Sequence, residues 1–332
     1  MRPTPTLPAL LESYFTQRLM AQRQASPHTI ASYRDTFRLL LNFARKQCGK
    51  SPSSLNLTDL DAPLISAFLD DLEKQRGSSV SSRNVRLTAI RSFFRYAEYE
   101  EPAQSAHIQR VLAIQSKRRD RPMISFLIRE EIEALLAAPN QRTWNGRRDH
   151  ALLRLAVQTG LRLSEVTELD RQALMLGTGA HVRCHGKGRK TRCTPLTKQT
   201  VAVLKVWLKE PVRGTINALF PNVHGGRLSS DAVQYLLSQY VAIARLRCPT
   251  LKEKRVTFHS LRHSSAMELL AAGVDTSVIA LWLGHENVET TQVYLHAHLV
   301  LKEAALAKTR PLTGKQARFR PSDKLLAFLN AL

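Results

Sequence analysis

The sequence predicts a mainly α-helical protein of two domains, with one small antiparallel β-sheet in the second. Its 332 residues are enough for two domains at the usual ~100–200 residues each. Apolar residues recur three and four apart along most of the chain, which is the spacing of helices with one buried face. One stretch breaks that rhythm: Leu174–Leu176, Ala180–His185 and Arg189–Pro195 read as three short strands, with Gly186-Lys187-Gly188 as the tight turn between the last two.

In the first domain, Leu7, Leu10, Leu11, Tyr14, Phe15 and Leu19 predict a helix over 7–23. Ser26 as N-cap and Pro27 at the first helical position open a second. Its buried stripe is Ile30, Tyr33, Phe37, Leu40 and Ala44, with Arg34 and Arg38 off it. A third helix is expected over 58–75, starting at Thr58 or Asp59 and ending before Gly77. In the fourth, over 79–99, Leu87, Ile90, Phe94 and Ala97 face a core, while Asn84, Thr88, Arg91 and Arg95 share another face. That polar set suits phosphate and base-edge contacts, although an ordinary solvated face would look the same. From Glu100 to Ile124 no amphipathic period is sustained, and Lys117-Arg118-Arg119-Asp120-Arg121-Pro122 reads as linker.

The second domain is expected to begin near Ser125, with helices over 129–138 and 147–158, the latter stopped by Gly160. After the sheet, helices follow over 197–209, 229–246, 260–272, 276–283, 288–295 and 298–308. The stretch Arg310–Arg320 is basic and aperiodic, and Pro321–Leu332 reads as a last short helix with an apolar stripe of Leu325, Leu326, Leu329 and Leu332. The boundaries are therefore 1–106 for the N-terminal domain, 107–124 for a basic linker, 125–309 for the second domain, and 310–332 for a C-terminal tether and helix.

Charge narrows the function. The chain carries 49 Lys and Arg against 27 Asp and Glu, a formal net charge of +22. Both halves share the excess: residues 1–121 have 19 basic and 11 acidic residues, and residues 122–332 have 30 and 16. A polyanion contacted along the whole protein accounts for this better than one basic tail. There is no run of eighteen apolar residues and no apolar segment behind Met1, so neither a membrane span nor a signal peptide is expected, and the location is read as cytoplasmic. Cys48, Cys184, Cys193 and Cys248 have no CxxC spacing and read as reduced thiols.

The chemistry concentrates in Thr159-Gly160-Leu161-Arg162, the Gly186-Lys187-Gly188 turn, His259-Ser260-Leu261-Arg262-His263, Leu283-Gly284-His285, and Thr290-Thr291 with Tyr294. Arginines can fork onto phosphate oxygens, a tyrosine can serve as nucleophile, and lysine and histidine can move protons. Together they suit attack on a phosphodiester. His259 and His263 also have the i, i+4 spacing of a zinc helix, but that motif needs Glu directly after the first His, where this chain has Ser260. No Asp/Glu cluster is present to hold a hard metal.

In order and spacing these motifs resemble the tyrosine recombinases, the phage integrase family of site-specific DNA recombinases. The family pattern is an Arg in a TGLRxSE box, a hairpin Lys, an HxxRH box, a GH box and a Tyr nine residues on. It is matched by Arg162, Lys187, His259 with Arg262, His285 and Tyr294. The resemblance runs nearly the whole length. It implies an N-terminal four-helix core-binding (SAM-like) domain and a C-terminal α+β catalytic domain. It also implies that Tyr294 forms a 3′-phosphotyrosine and frees a 5′-hydroxyl, so that rejoining needs no ATP, cofactor or metal. Arg162 and Arg262 would clamp the phosphate, Glu165 would orient Arg162, and Lys187 would protonate the leaving oxygen. Lys190 and Arg192 are read as contacts to the DNA backbone, like Arg91 and Arg95 of the first domain, and His263 as a brace rather than a catalytic group. The implied partners are double-stranded recombination sites and a homo- or hetero-tetramer of related recombinases, with the C-terminal segment docked on a neighbouring subunit. The two-domain build resembles Xer-type recombinases and transposon integrases. The 38 residues after Tyr294 favour a mobile-element integrase over a chromosome-dimer resolvase. A type IB topoisomerase and a non-catalytic DNA-binding protein fit the whole motif set less well.

A basic excess in both halves predicts a strong salt dependence of DNA affinity. The logarithm of the binding constant should fall with the logarithm of salt concentration at a slope of roughly −0.9 per phosphate contacted. A titration giving a slope shallower than about −2 would reject an extended polyanion interface.

Overall fold

The computed structural model describes residues 5–118, 124–186, 191–214, 216–285, 290, 291 and 294. The chain divides into two compact units, residues 1–121 and 122–332.

In the first unit, α1 (Leu7–Ser13) starts where the Thr6 hydroxyl accepts from the Ala9 amide, and it continues as a wider π-helical stretch over Tyr14–Gln22. The Ser26 hydroxyl caps α2 (Pro27–Cys48), which ends at Gly49 in the left-handed conformation, φ +67°. The third helix, α3 (Ala62–Lys74), begins later than the expected 58. Asp59 is spent on a turn, where its carboxylate accepts from the Asn56 amide and from Lys50, and Asp61 caps the helix instead. Ser79 caps α4 (Val80–Glu100). Tyr14, Phe37 and Phe93 meet edge-to-face at the centre, with centroids 5.2 to 6.4 Å apart. Each such buried ring contributes roughly 1.5–3 kcal/mol.

Two expectations for this unit need correction. Part of the predicted linker is a fifth helix, α5 (Ser105–Leu112), which seats Ile108 and Val111 in the core. Two turns are too short to establish a period in sequence. The polar stripe of α4 is also not free. Asn84 exchanges two hydrogen bonds with the backbone of Lys117, and Arg91 donates to the Ile114 carbonyl and reaches Ser116. Returning chain thus covers that end of the stripe, and Arg91 is committed to its own fold rather than presented to DNA. Arg95, one turn further, is exposed.

In the second unit, α6 (Arg129–Leu136) follows an extended segment. Its fully buried Glu131 accepts from the Ile128 amide, Lys254 and Thr250. The Thr143 hydroxyl caps α7 (Trp144–Thr159), and short α8 (Leu163–Thr167) follows. The strands β1 (Leu174–Met175), β2 (His181–His185) and β3 (Thr191–Pro195) form one antiparallel sheet in that order. Arg183 lies opposite Cys193 and Cys184 opposite Arg192, so the two cysteines occupy neighbouring rungs; all four cysteines are free. Then come α9 (Lys198–Leu208), α10 (Ser230–Arg247), α11 (Phe258–Ala271) and α12 (Thr276–Leu283). The core between them holds Leu152, Leu155, Trp207, Leu237, Phe258 and Leu261. The expected helix over 298–308 and the C-terminal segment 310–332 lie outside the described residues, within which no helix is long and apolar enough to cross a membrane.

The covered stripe gives a contrast to measure in the full chain. Arg95→Ala should weaken DNA binding and reduce the salt slope by about one. Arg91→Ala should lower the melting temperature and leave the slope unchanged. The opposite pairing of effects would put Arg91 on the DNA.

Candidate active site

The site is assembled around one carboxylate. Glu165 lies in α8 with its side chain 3% exposed. Its Oε2 accepts from the Arg162 amide at 2.7 Å, which caps the helix, and its Oε1 accepts from Arg162 Nη1 at 2.9 Å. A second guanidinium arrives from β3: Arg192 Nη1 and Nη2 fork onto the two oxygens at 2.9 and 2.7 Å. Burial pushes the Glu165 carboxyl up, but the hydrogen bonds from Arg192 and from Arg162 outweigh it and hold the pKa below the ordinary value. Arg192 Nε also donates to the Trp282 carbonyl at 3.2 Å. The chain turns beside it at Gly284, φ +66°, where a Cβ would lie 2.7 Å from Arg192 Nη1. Only glycine fits that turn.

The other arginine comes from the first turns of α11. The Arg262 guanidinium is buried, donating to the Gly160 carbonyl at 2.6 Å and the Leu283 carbonyl at 2.7 Å. Arg162 Nη2 donates to the Gly284 carbonyl at 2.9 Å. These acceptors lie at the C-terminal ends of α7 and α12, the negative ends of the helix dipoles. Gly160 is itself left-handed, φ +62°, and a Cβ there would come within 2.7 Å of Leu283. Burial, and then the charge of Arg162, lower the Arg262 pKa to about 10, still far above neutral, so Arg262 stays a cation.

Three histidines and the tyrosine complete the site. His259 is exposed, and its ring meets that of His263 edge-on at 4.4 Å. His285 Nδ1 pairs with the Thr291 hydroxyl at 2.7 Å. The Tyr294 ring is buried, nearly parallel to His285 at 6.5 Å, and its hydroxyl pairs with His263 Nδ1 at 3.0 Å. Desolvation and then the neighbouring arginines lower His259; the same two influences take His285 to about 4. His263 is also lowered to about 4, by burial first, then by His259 and Arg262. Burial raises Tyr294 above 10.0 despite the opposing pull of Arg262 and Arg162. At neutral pH the site therefore holds a neutral phenol and neutral imidazoles among cationic guanidiniums.

Arg162, His259, Arg262, His285 and Tyr294, predicted as one site, lie together here. Lys187 and Lys190 lie outside the described residues. Arg192 was expected on the DNA backbone. It is instead locked onto Glu165, and strand alternation offers the reason: Arg192 and Thr194 share the inner face with Val182 and Cys184. His263, read as a brace, touches the phenol. Among the described residues no group of three or more His, Cys, Asp or Glu is placed to hold a metal ion.

Residues 125–299 match the model of the phage integrase family, and residues 13–101 match that of the phage integrase N-terminal SAM-like domain. The chain belongs to the phage integrase family. It is a tyrosine recombinase, a site-specific enzyme that cuts and rejoins DNA. The recombinase is 64% identical to "Putative integrase/recombinase y4rC" of Sinorhizobium fredii (strain NBRC 101917 / NGR234) over 98% of both chains. It is 31% identical to tyrosine recombinase XerC of Pelotomaculum thermopropionicum, over 85% of this chain and 92% of that one. Among solved structures it resembles XerH bound to palindromic difH substrate (TM-score 0.67, 24% identity, 86% of this chain and 81% of that). It also resembles the Tn1549 transposon integrase with circular intermediate DNA (TM-score 0.67, 15% identity, 90% and 98%). At those identities the likeness is one of fold.

The Glu165 clamp makes a pH-dependent prediction. Breaking a buried ion pair costs roughly 3–5 kcal/mol, so Glu165→Gln and Arg192→Ala should both melt well below the wild type at pH 7. Because the folded-state pKa is depressed, the carboxylate's contribution is complete above the ordinary value of 4.5 and is lost as pH falls through the lowered one. The gap between wild type and Glu165→Gln should therefore close in acid. A gap of equal size at pH 7 and pH 3 would mean the carboxylate is not the stabilising group.

Proposed function

We propose that this recombinase integrates or excises a mobile element, acting through a 3′-phosphotyrosine at Tyr294. The observation that carries the reading is the 64% identity, over 98% of the chain, to an integrase/recombinase, against 31% to a XerC. The alternative role is Xer-type dimer resolution.

In the proposed reaction the Tyr294 oxygen attacks phosphorus and the bond to the 5′ oxygen breaks. Arg162 and Arg262 stabilise the charge on the non-bridging oxygens. Each has five N–H groups, and the contacts above occupy two on each, leaving three. One such donor contributes roughly 10²–10³ in rate. Lys187 gives the leaving oxygen its proton, and His259 and His285 line the phosphate. Glu165 and Arg192 act by holding Arg162 and the base of the hairpin. Rejoining is the reverse attack by a 5′-hydroxyl.

The working assembly in this reading is a tetramer on two duplex sites. Lambda integrase has been solved as a tetramer bound to a Holliday junction, and this chain shares its fold (TM-score 0.62, 18% identity, 88% of this chain and 78% of that). A second Sinorhizobium fredii relative, "Putative integrase/recombinase y4rD", is 40% identical over 77% of this chain and 92% of its own. Two such relatives in one organism keep a hetero-tetramer in view. Residues 310–332 would dock on the adjacent protomer, and the bound protein would sit at the nucleoid.

Footprinting on genomic DNA tests the role: protected half-sites at the ends of a mobile element are expected, and a single site at the chromosome terminus would favour dimer resolution. Nicked duplexes carrying the footprinted half-site test the chemistry. Tyr294→Phe should bind and form no covalent adduct. Lys187→Ala should cleave slowly and be restored by a 5′-bridging phosphorothioate, whose sulfur leaves without a proton. Equal defects on both substrates would remove Lys187 as the acid.

A further inference from the structure

The hydroxyl of Tyr294 has a partner, the last residue of the HxxRH box, to which the resemblance assigned no chemistry. Among the described residues its hydrogen bond runs to His263 Nδ1, at 3.0 Å. Neither His259 nor His285 is so placed. His285 turns its Nδ1 to Thr291 and presents its ring face, 6.5 Å away, to the phenol. His259 reaches the tyrosine only through His263, whose ring it meets edge-on. Both ends of the contact are held in place. Tyr294 is buried against Ala266, Met267 and Leu270 of α11, the helix that carries His263.

We propose that His263 is the general base for Tyr294: its Nδ1 takes the phenolic proton as Oη bonds to phosphorus and returns it when a DNA 5′-hydroxyl attacks the phosphotyrosine. This rests on Tyr294 being the nucleophile. This requires the neutral imidazole to carry its hydrogen on Nε2, the tautomer in which Nδ1 accepts from the phenol. In the forward step the Oη–H bond breaks and Oη–P forms. The P–O5′ bond breaks, and that oxygen takes a proton from Lys187. The imidazolium that results is a proton donor in the reverse direction, so no other reactant is consumed.

The surroundings fit a base that acts only with substrate present. Against the ring stand His259 and Arg262 of its own helix and Tyr294 itself; Arg162, at the N-cap of α8, and His285, just past α12, belong to the same site. Without DNA, the cations among these, together with burial, keep His263 weakly basic while burial keeps the phenol weakly acidic, so no tyrosinate forms. A phosphodiester between Arg162 and Arg262 adds negative charge where those cations act, which raises the basicity of His263 as the attack begins.

Single-turnover adduct formation on the nicked half-site duplex tests the role, using His263→Ala and His263→Asn, with Tyr294→Phe alongside. The asparagine oxygen can accept the phenol's hydrogen bond but cannot take its proton. Both His263 variants should bind DNA normally and cleave about 10²-fold or more slowly, the usual value of a positioned base. Imidazole in the buffer should speed His263→Ala, and the acid limb of the wild-type pH–rate profile should vanish in both. If His263→Asn cleaves near the wild-type rate, the residue only positions the tyrosine and the proposal fails. If either variant cleaves faster than wild type, His263 is a latch and the proposal also fails. An adduct in Tyr294→Phe would instead overturn the nucleophile assignment.

Discussion

The constraint on which the catalytic unit depends is the compensation of three guanidiniums around one buried carboxylate. Arg162, Arg192 and Arg262 converge within hydrogen-bonding reach of one short stretch of chain, Trp282 to Gly284. Left alone, three such charges would repel by several kcal/mol at protein-like dielectric. Glu165 neutralises one full charge, and it does so with four hydrogen bonds, two from Arg162 and two from Arg192. The remaining excess rests on the carbonyl ends of α7 and α12, which carry only partial negative charge. The unit is therefore stable with a positive surplus. A phosphate bound there would complete the balance rather than disturb it.

The same surplus governs the ionisation of the histidines around Tyr294. Histidines in solution titrate near neutrality, but here burial and nearby cations drive His263 and His285 to about 4. The tyrosine moves the opposite way because burial outweighs the attraction of the arginines for a phenolate. The resting site is electrostatically ready for an anion and chemically silent without one. If Tyr294 is the nucleophile as proposed, that separation is useful, because an anion bound between Arg162 and Arg262 would change the charge that both the histidines and the phenol feel.

What could be read from sequence followed from local rules. The cap at Ser26-Pro27, the helix over 276–283, the Gly160 stop and the spacing of Arg162, His259, Arg262, His285 and Tyr294 each depend on residues near one another in the chain. What could not be read depended on distant chain segments. The α4 stripe looked free because no periodicity reveals that Ile114–Lys117 returns over Asn84 and Arg91. The helix α5 was too short to show a period. Asp59, one of the two expected helix starts, is taken up by Lys50 and the Asn56 amide, distant and local partners that left the cap to Asp61. Arg192 did carry a signal, an arginine on the inner face of a strand beside Thr194, but its basic neighbours made DNA contact the simpler reading. His263 lies one helical turn beyond His259, and only the folded position of Tyr294 brings it against the phenol.

Arg192 ties this electrostatic core to the small sheet. The strand β2 ends at His185 and β3 begins at Thr191, and Arg192 is the second residue of β3. That guanidinium joins three parts of the chain at once: the sheet through its own backbone, α8 through Glu165, and the Trp282–Gly284 turn through its Nε contact. A planar fork can satisfy a carboxylate and a carbonyl together, whereas a lysine ammonium cannot match that geometry. The start of β3 is therefore fixed to Glu165, and Glu165 to Arg162. Arg162, the start of β3 and the turn leading to His285 are thus tied together through one buried ion pair, so none of the three can shift without the others.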